Sequence, residues 1–177
     1  MIKHITAIAL LTGSFAVSAA SCPEYLNVEA RKLHSKENVN LCELTQGKPV
    51  LIVNTASNCG FTPQFDALEA LHKQYSDKGL VVIGFPSDDF FQEEKDEAKT
   101  ADVCFINYGV SFTMVATSPV RGDNANSVFK YLGEKSDSPK WNFYKYLVSG
   151  DGQSVQQFNS RVKPDSEEMK KAIESVL

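Results

Sequence analysis

Lys48-Pro49-Val50-Leu51-Ile52-Val53-Asn54-Thr55-Ala56-Ser57-Asn58-Cys59-Gly60-Phe61-Thr62-Pro63-Gln64-Phe65 decides how this chain is read. Val50 to Val53 is a short apolar run rich in β-branched residues, the composition of a buried strand. From Phe65 the apolar positions Phe65, Leu68 and Leu71 recur three apart, with Ala67 and Ala70 beside them, which is helical spacing. Cys59 therefore falls where a strand hands over to a helix. Backbone N–H groups and the dipole at a helix N-terminus favour an anion, and the thiolate is the reactive form of cysteine. The competing reading is a buried, inert thiol, common for cysteine in general. Position alone leaves both open.

Working outward, the same alternation of strand and helix continues. A helix is expected from Thr62 or Pro63 to Tyr75, with Pro near its start and Gly79 past its end. Leu80-Val81-Val82-Ile83-Gly84-Phe85 is a second buried strand. Two near-continuous apolar strands joined by a helix make a right-handed βαβ unit with parallel strands. The acidic stretch from Pro86 to Glu94 follows the carboxyl end of the second strand, the edge on which open α/β sheets build their sites. The loops carrying Cys59 and this stretch should face each other. Most of the acidic side chains are expected to be merely solvated.

Further on, a helix is expected over roughly Glu97 to Tyr108, ended by Gly109, then a strand from Val110 to Val115 and a short helix from Ser127 to Leu132. Trp141 is the only tryptophan and opens Trp141-Asn142-Phe143-Tyr144-Lys145-Tyr146-Leu147-Val148, a strand by composition. Ser149-Gly150-Asp151-Gly152 turns it back into Gln153 to Phe158, a hairpin. After Pro164 the stretch Asp165-Ser166-Glu167-Glu168 caps a last helix with the apolar stripe Met169, Ala172, Ile173 and Val176. Before Cys59, Leu26 to Leu33 and Val39 to Leu41 flank a polar turn, as in a β-hairpin. The order β-hairpin, β, α, β, α, β, α, β, β, α is an α/β, thioredoxin-like architecture: a central mixed sheet flanked by helices, preceded by an N-terminal β-hairpin.

The chain has 177 residues, enough for one domain with a sizeable core. The formal net charge is -4 with no basic block, which argues against a nucleic-acid partner. Residues 1–21 read separately. Lys3, an uncharged and mostly apolar run from Ile5 to Val17, and small residues at Val17-Ser18-Ala19-Ala20 make an export signal too short to span a bilayer comfortably. The expectation is a signal peptide over 1–21, removed, and a single domain over 22–177, exported to the periplasm or secreted, without stable membrane insertion. A lipid anchor at Cys22 is a minor alternative that the preceding Ser21 fits poorly.

All four cysteines, Cys22, Cys42, Cys59 and Cys104, follow the signal. An oxidising compartment makes disulfides possible, and Cys22 and Cys42, flanking the hairpin, are the natural structural pair. There is no Cys-x-x-Cys, and His4, His34 and His72 are scattered, so no metal site is expected.

Together the motifs resemble the glutathione peroxidase family in its cysteine form. Asn54-Thr55-Ala56-Ser57-Asn58-Cys59-Gly60-Phe61-Thr62 is similar to its active-site segment, and Gly84-Phe85-Pro86 with Gln92-Glu93 to its second motif. Tyr108-Gly109-Val110-Ser111-Phe112 and Trp141-Asn142-Phe143 resemble the third and fourth, so the likeness covers nearly all of residues 24–177. The resemblance implies a thiol-dependent reduction of hydrogen peroxide or organic hydroperoxides, an activity suited to oxidative stress, without metal, haem or other cofactor. By motif, the catalytic set would be Cys59, Gln92, Trp141 and Asn142. Cys59 would become a sulfenic acid, and the three others would be neutral hydrogen-bond donors. The reductant would be glutathione or a thioredoxin-like protein.

Three departures from the family pattern stand out. The second motif is one residue short before Gln92, Thr113 stands where proline is usual, and the stretch from Leu132 to Trp141 lacks the long insertion of tetrameric members, which implies a monomer. Members that use thioredoxin carry a second cysteine in the helix after the Gln motif. Cys104 lies in that region, about one position from the expected place, and is either a resolving thiol or, the reading preferred here, a core residue. Two other functions compete: a peroxiredoxin-like or disulfide-exchange enzyme, against which the missing Cys-x-x-Cys and the Trp-Asn-Phe motif argue, and a catalytically impaired thioredoxin-like binding module, which the altered acidic loop favours.

Overall fold

Strand β3, Val50–Thr55, is buried at all six positions because both faces of the sheet are covered. Its side chains alternate between two apolar clusters. Leu51 and Val53 join the cluster that also contains Cys59, whereas Val50 and Ile52 join the opposite one. The computed structural model describes residues 23–177. The expected signal at 1–21, and Cys22 with its expected pairing to Cys42, lie outside the described residues.

An antiparallel hairpin of β1, Glu29–Arg31, and β2, Asn38–Asn40, comes first. A short helix α1, Leu41–Thr45, follows, with Asn40 as its cap; the Asn40 side chain accepts from the N–H groups of Cys42 and Glu43. Cys42 thus lies in the first turn of a helix rather than trailing the hairpin. Helix α2, Gln64–Tyr75, buries the stripe Phe65, Leu68, Leu71 and Tyr75 against the Cys59 side of the sheet. Strand β4, Val81–Pro86, lies parallel to β3 and completes the βαβ unit.

Helix α3 is shorter than its sequence pattern suggests. It ends at Ala101, and Asp102–Asn107 continues as a π-helical segment, with the Tyr108 N–H bonded to the Val103 carbonyl. The wider turn buries Cys104 and leaves Phe105 and Ile106 exposed. Gly109, at φ +60°, ends the segment as expected. The strand expected over Val110 to Val115 contracts to β5, Thr113–Met114, parallel to β4. Helix α4, Ser127–Lys135, is capped by Asn126 and runs three residues beyond the expected Leu132.

The second half of the sheet is antiparallel. Strand β6, Lys145–Val148, pairs with β3, and β7, Val155–Phe158, pairs with β6. The five strands stand in the order β5-β4-β3-β6-β7. Helix α5, Glu167–Glu174, is capped by Ser166 and packs Met169, Ala172 and Ile173 into the Cys59-side cluster. The fold is thioredoxin-like, with the expected mixed sheet and flanking helices. One expectation fails locally. Trp141 does not open β6, because residues 141–144 form a turn in which Phe143 takes φ +61°. Among the described residues no helix is long and apolar enough to cross a membrane.

Candidate active site

Cys59 lies in the turn between β3 and α2, and is buried at 7% exposure. The helix expected from Thr62 or Pro63 starts at Gln64, with Pro63 as its first flanking residue. Thr62 closes the turn. Its hydroxyl donates to the Ala56 carbonyl at 2.8 Å and accepts from the Cys59 N–H at 3.1 Å. The Phe61 N–H donates to the Cys59 sulfur at 3.4 Å. The sulfur is thus held by local backbone rather than by the first turn of α2.

The acidic loop after β4 docks onto this turn. The Asn58 N–H donates to the Gln92 carbonyl at 2.9 Å, and the Asn58 amide reaches the Glu94 carboxylate at 3.0 Å. Gln92 is half-buried, and its Oε1 accepts from Asn142 Nδ2 at 3.0 Å. Asn142 is fully buried. Gln92 and Asn142, fifty residues apart, are therefore in direct contact beside the neighbour of Cys59. The loop is one residue shorter than the family pattern, and Phe91 takes φ +58° there with its ring exposed.

Trp141 remains 42% exposed and packs on Phe90, ring centroids 5.5 Å apart. It shares with Phe61 a cleft of about 480 Å³, whose wall includes Tyr144, Ser160 and Arg161. A second cleft of similar size runs from Gly60 and Phe61 along Gln64 to Arg161 and Lys163. Both clefts border the turn of Cys59 through its neighbours Gly60 and Phe61, while Cys59 itself lines neither.

Cys104 is 1% exposed, and burial together with the nearby Glu93 charge pushes its thiol up to about 12. Cys59 and Cys104 are free and belong to the same apolar cluster. Glu93 corrects the expectation of solvated carboxylates in this loop. It is buried, and its Oε1 accepts from the hydroxyl of Ser57, from the Thr100 hydroxyl at 3.0 Å and from the Glu94 N–H at 2.8 Å. Burial raises its pKa above the ordinary glutamate value, against the pull of those donors.

One residue important to the geometry escaped the sequence reading. Asn54, next to last in β3, is fully buried, and its side chain and backbone both hold the turn at 141–144. Its Oδ1 accepts from the Tyr144 N–H at 3.0 Å and its carbonyl from the Phe143 N–H at 2.7 Å. A polar residue inside an apolar strand run was the available signal.

The family model described as Glutathione peroxidase matches residues 25–133. The chain belongs to the glutathione peroxidase family. Glutathione peroxidase-like peroxiredoxin 2 of Saccharomyces cerevisiae is 44% identical over 139 residues, 75% of this chain and 85% of its own. A glutathione peroxidase of Lactococcus lactis is 41% identical over 138 residues, 75% and 87% of the two chains. A hydroperoxy fatty acid reductase of Synechocystis is 40% identical over 136 residues, 76% and 88% of the two chains. Among solved structures, apo Trgpx superposes with a TM-score of 0.66 at 27% identity, covering 86% of this chain and 94% of that one. The dsbF structure described as MTB shares the fold alone, with a TM-score of 0.63 at 16% identity, covering 89% and 100%. Membership carries the reaction class: the chain is a thiol-dependent peroxidase, an oxidoreductase.

Proposed function

We propose that Cys59 is the peroxidatic nucleophile, acting on hydrogen peroxide or an organic hydroperoxide. The Cys59 thiolate attacks one peroxide oxygen and the O–O bond breaks. The other oxygen leaves as water or an alcohol after taking a proton, and Cys59 is left as a sulfenic acid. A first thiol then forms a mixed disulfide with Cys59 and releases water. A second thiol displaces it, returning Cys59 and forming the oxidised reductant. Gln92, Trp141 and Asn142 serve as neutral donors to the reacting sulfur and the departing oxygen.

The observation that carries this reading is the Asn142–Gln92 hydrogen bond at 3.0 Å, joined through the Gln92 carbonyl to Asn58 beside Cys59. Two amides from distant parts of the chain have no structural need to meet at a cysteine turn. The test is peroxide consumption by the wild type and by Cys59→Ser, with the fold checked by circular dichroism. Activity vanishes in a folded variant if the reading holds; turnover near the wild-type rate sinks it.

Cys104 is read as a core residue, so that glutathione or a thioredoxin-like protein resolves the sulfenic acid. Its burial and raised thiol support this. The chain is further read as an exported, periplasmic monomer with its first 21 residues as signal and a Cys22–Cys42 disulfide. The motif order at the N-terminus, and Cys59 and Cys104 being the free cysteines, support that reading. Edman sequencing and non-reducing mass mapping of protein recovered from a periplasmic extract test it.

A further inference from the structure

Lys145 is fully buried in β6. A buried ammonium is costly unless it is bonded, and a methionine would fill the same space without that cost. Side chains alternate along the strand, and Leu147 belongs to the apolar cluster around Cys59 while Tyr146 and Val148 belong to the opposite one. Lys145 therefore lies on the Cys59 side of the sheet. Its Nζ donates to the Val162 carbonyl at 2.7 Å. Burial pulls its ammonium down to about 7. Nothing in the reaction as written above uses it.

Val162 belongs to the run between β7 and α5, and other bonds converge on that run. The Ser160 hydroxyl donates to the Asn142 carbonyl at 2.6 Å. The Ser160 carbonyl accepts from Gln64 Nε2 at 2.6 Å. Gln64 opens α2 five residues after Cys59, and the Asn142 amide is bonded to Gln92. One short run thus touches both flanks of Cys59: the helix that closes its turn, and the amide pair.

We propose that Lys145 is a positioning residue for peroxide reduction: by holding the Val162 carbonyl it fixes residues 160–162, which set Asn142 and Gln64 relative to Cys59. The inference rests on the donor role given to Asn142 above. A hydrophobic replacement keeps the packing but leaves the carbonyl without its donor, and residues 160–162 can then shift. A displacement of about an ångström at reacting groups is enough to cost on the order of 10²-fold in rate.

The test compares two reactions of Cys59 in the wild type, Lys145→Met and Ser160→Ala. Oxidation by hydrogen peroxide, followed by quenched-flow mass spectrometry, needs the donors in place. Alkylation by iodoacetamide needs only an accessible thiolate. The expected result is peroxide oxidation slowed about 10- to 100-fold in each folded variant, with alkylation within about twofold of wild type. The double variant should be no slower than the slower single one, since both act through the same run. Peroxide oxidation within twofold of wild type in Lys145→Met, or equal slowing of both reactions, overturns the proposal. If Lys145→Met does not fold, Ser160→Ala decides by the same criterion. A wild-type oxidation rate no faster than that of free cysteine would instead overturn the peroxidase reading itself, and this proposal with it.

Discussion

Asn54 holds Trp141 across 87 residues of chain: its Nδ2 donates to the Trp141 carbonyl at 3.1 Å. With the Tyr144 N–H on its Oδ1, this one amide satisfies both ends of the turn that presents Asn142. Asn54→Ala takes the side-chain partner from two partly buried backbone groups, at no more than roughly 1–3 kcal/mol each. The expected outcome is a lower urea midpoint together with slower oxidation of Cys59. A variant as stable as wild type would show that the turn holds itself.

Asn142→Ala removes one donor from a preorganised site, which typically costs roughly 10²–10³-fold in rate. The loss should fall on the second-order oxidation of Cys59 and leave the later reduction by thiol unchanged. Single-turnover kinetics of the two half-reactions separate these outcomes. Asn142 is a cleaner probe than Trp141, whose ring also covers Phe90.

The buried Glu93 predicts a pH effect with a definite sign. Its folded-state pKa lies above the ordinary 4.5, so over a window opening at 4.5 the native state holds more protons than the unfolded chain. Stability from this group therefore falls as pH rises through that window. Glu93→Gln retains an oxygen that can accept from Ser57, Thr100 and the Glu94 N–H, but does not titrate. Thermal unfolding between pH 4 and 8 should show the variant gaining on wild type as pH rises, then levelling. Glu69, Asp88 and Glu97, all held below their ordinary values, act in the acid range in both proteins and cancel in the difference. A difference independent of pH would remove Glu93 as the cause.

Cys104 should not form a disulfide with Cys59 in the native protein. It is buried in the π-helical segment, and its thiol is pushed up to about 12 by burial and by the Glu93 charge. The thiolate needed for exchange is therefore scarce at neutral pH. After one equivalent of peroxide, mass spectrometry should find a sulfenic acid on Cys59 that a small thiol can trap. A Cys59–Cys104 disulfide as the main product would make Cys104 the resolving thiol.

Strand and helix order was legible because its signals are local. The apolar run Val50 to Val53, the three-residue spacing from Phe65, and the cap at Ser166 each sit within a few residues of the element they specify. The errors were local too. The pattern from Glu97 to Tyr108 is helical in period, and nothing in it distinguishes an α-turn from the π-turn that buries Cys104. The composition of Trp141 to Val148 reads as strand, yet its first four residues turn, because Asn54 binds their backbone from another strand.

The sequence by itself determined the thioredoxin-like order of elements, the position of Cys59 between a strand and a helix in chain order, and, by resemblance, its proposed partners Gln92, Trp141 and Asn142. Only the tertiary structure decided that Gln92 bonds Asn142, that Glu93 is buried, and that Lys145 donates to the Val162 carbonyl inside the sheet. The reason is range. Periodicity and capping are written in adjacent residues, whereas a buried polar group finds its partner wherever the packed chain brings one, and its own neighbours in sequence carry no record of it.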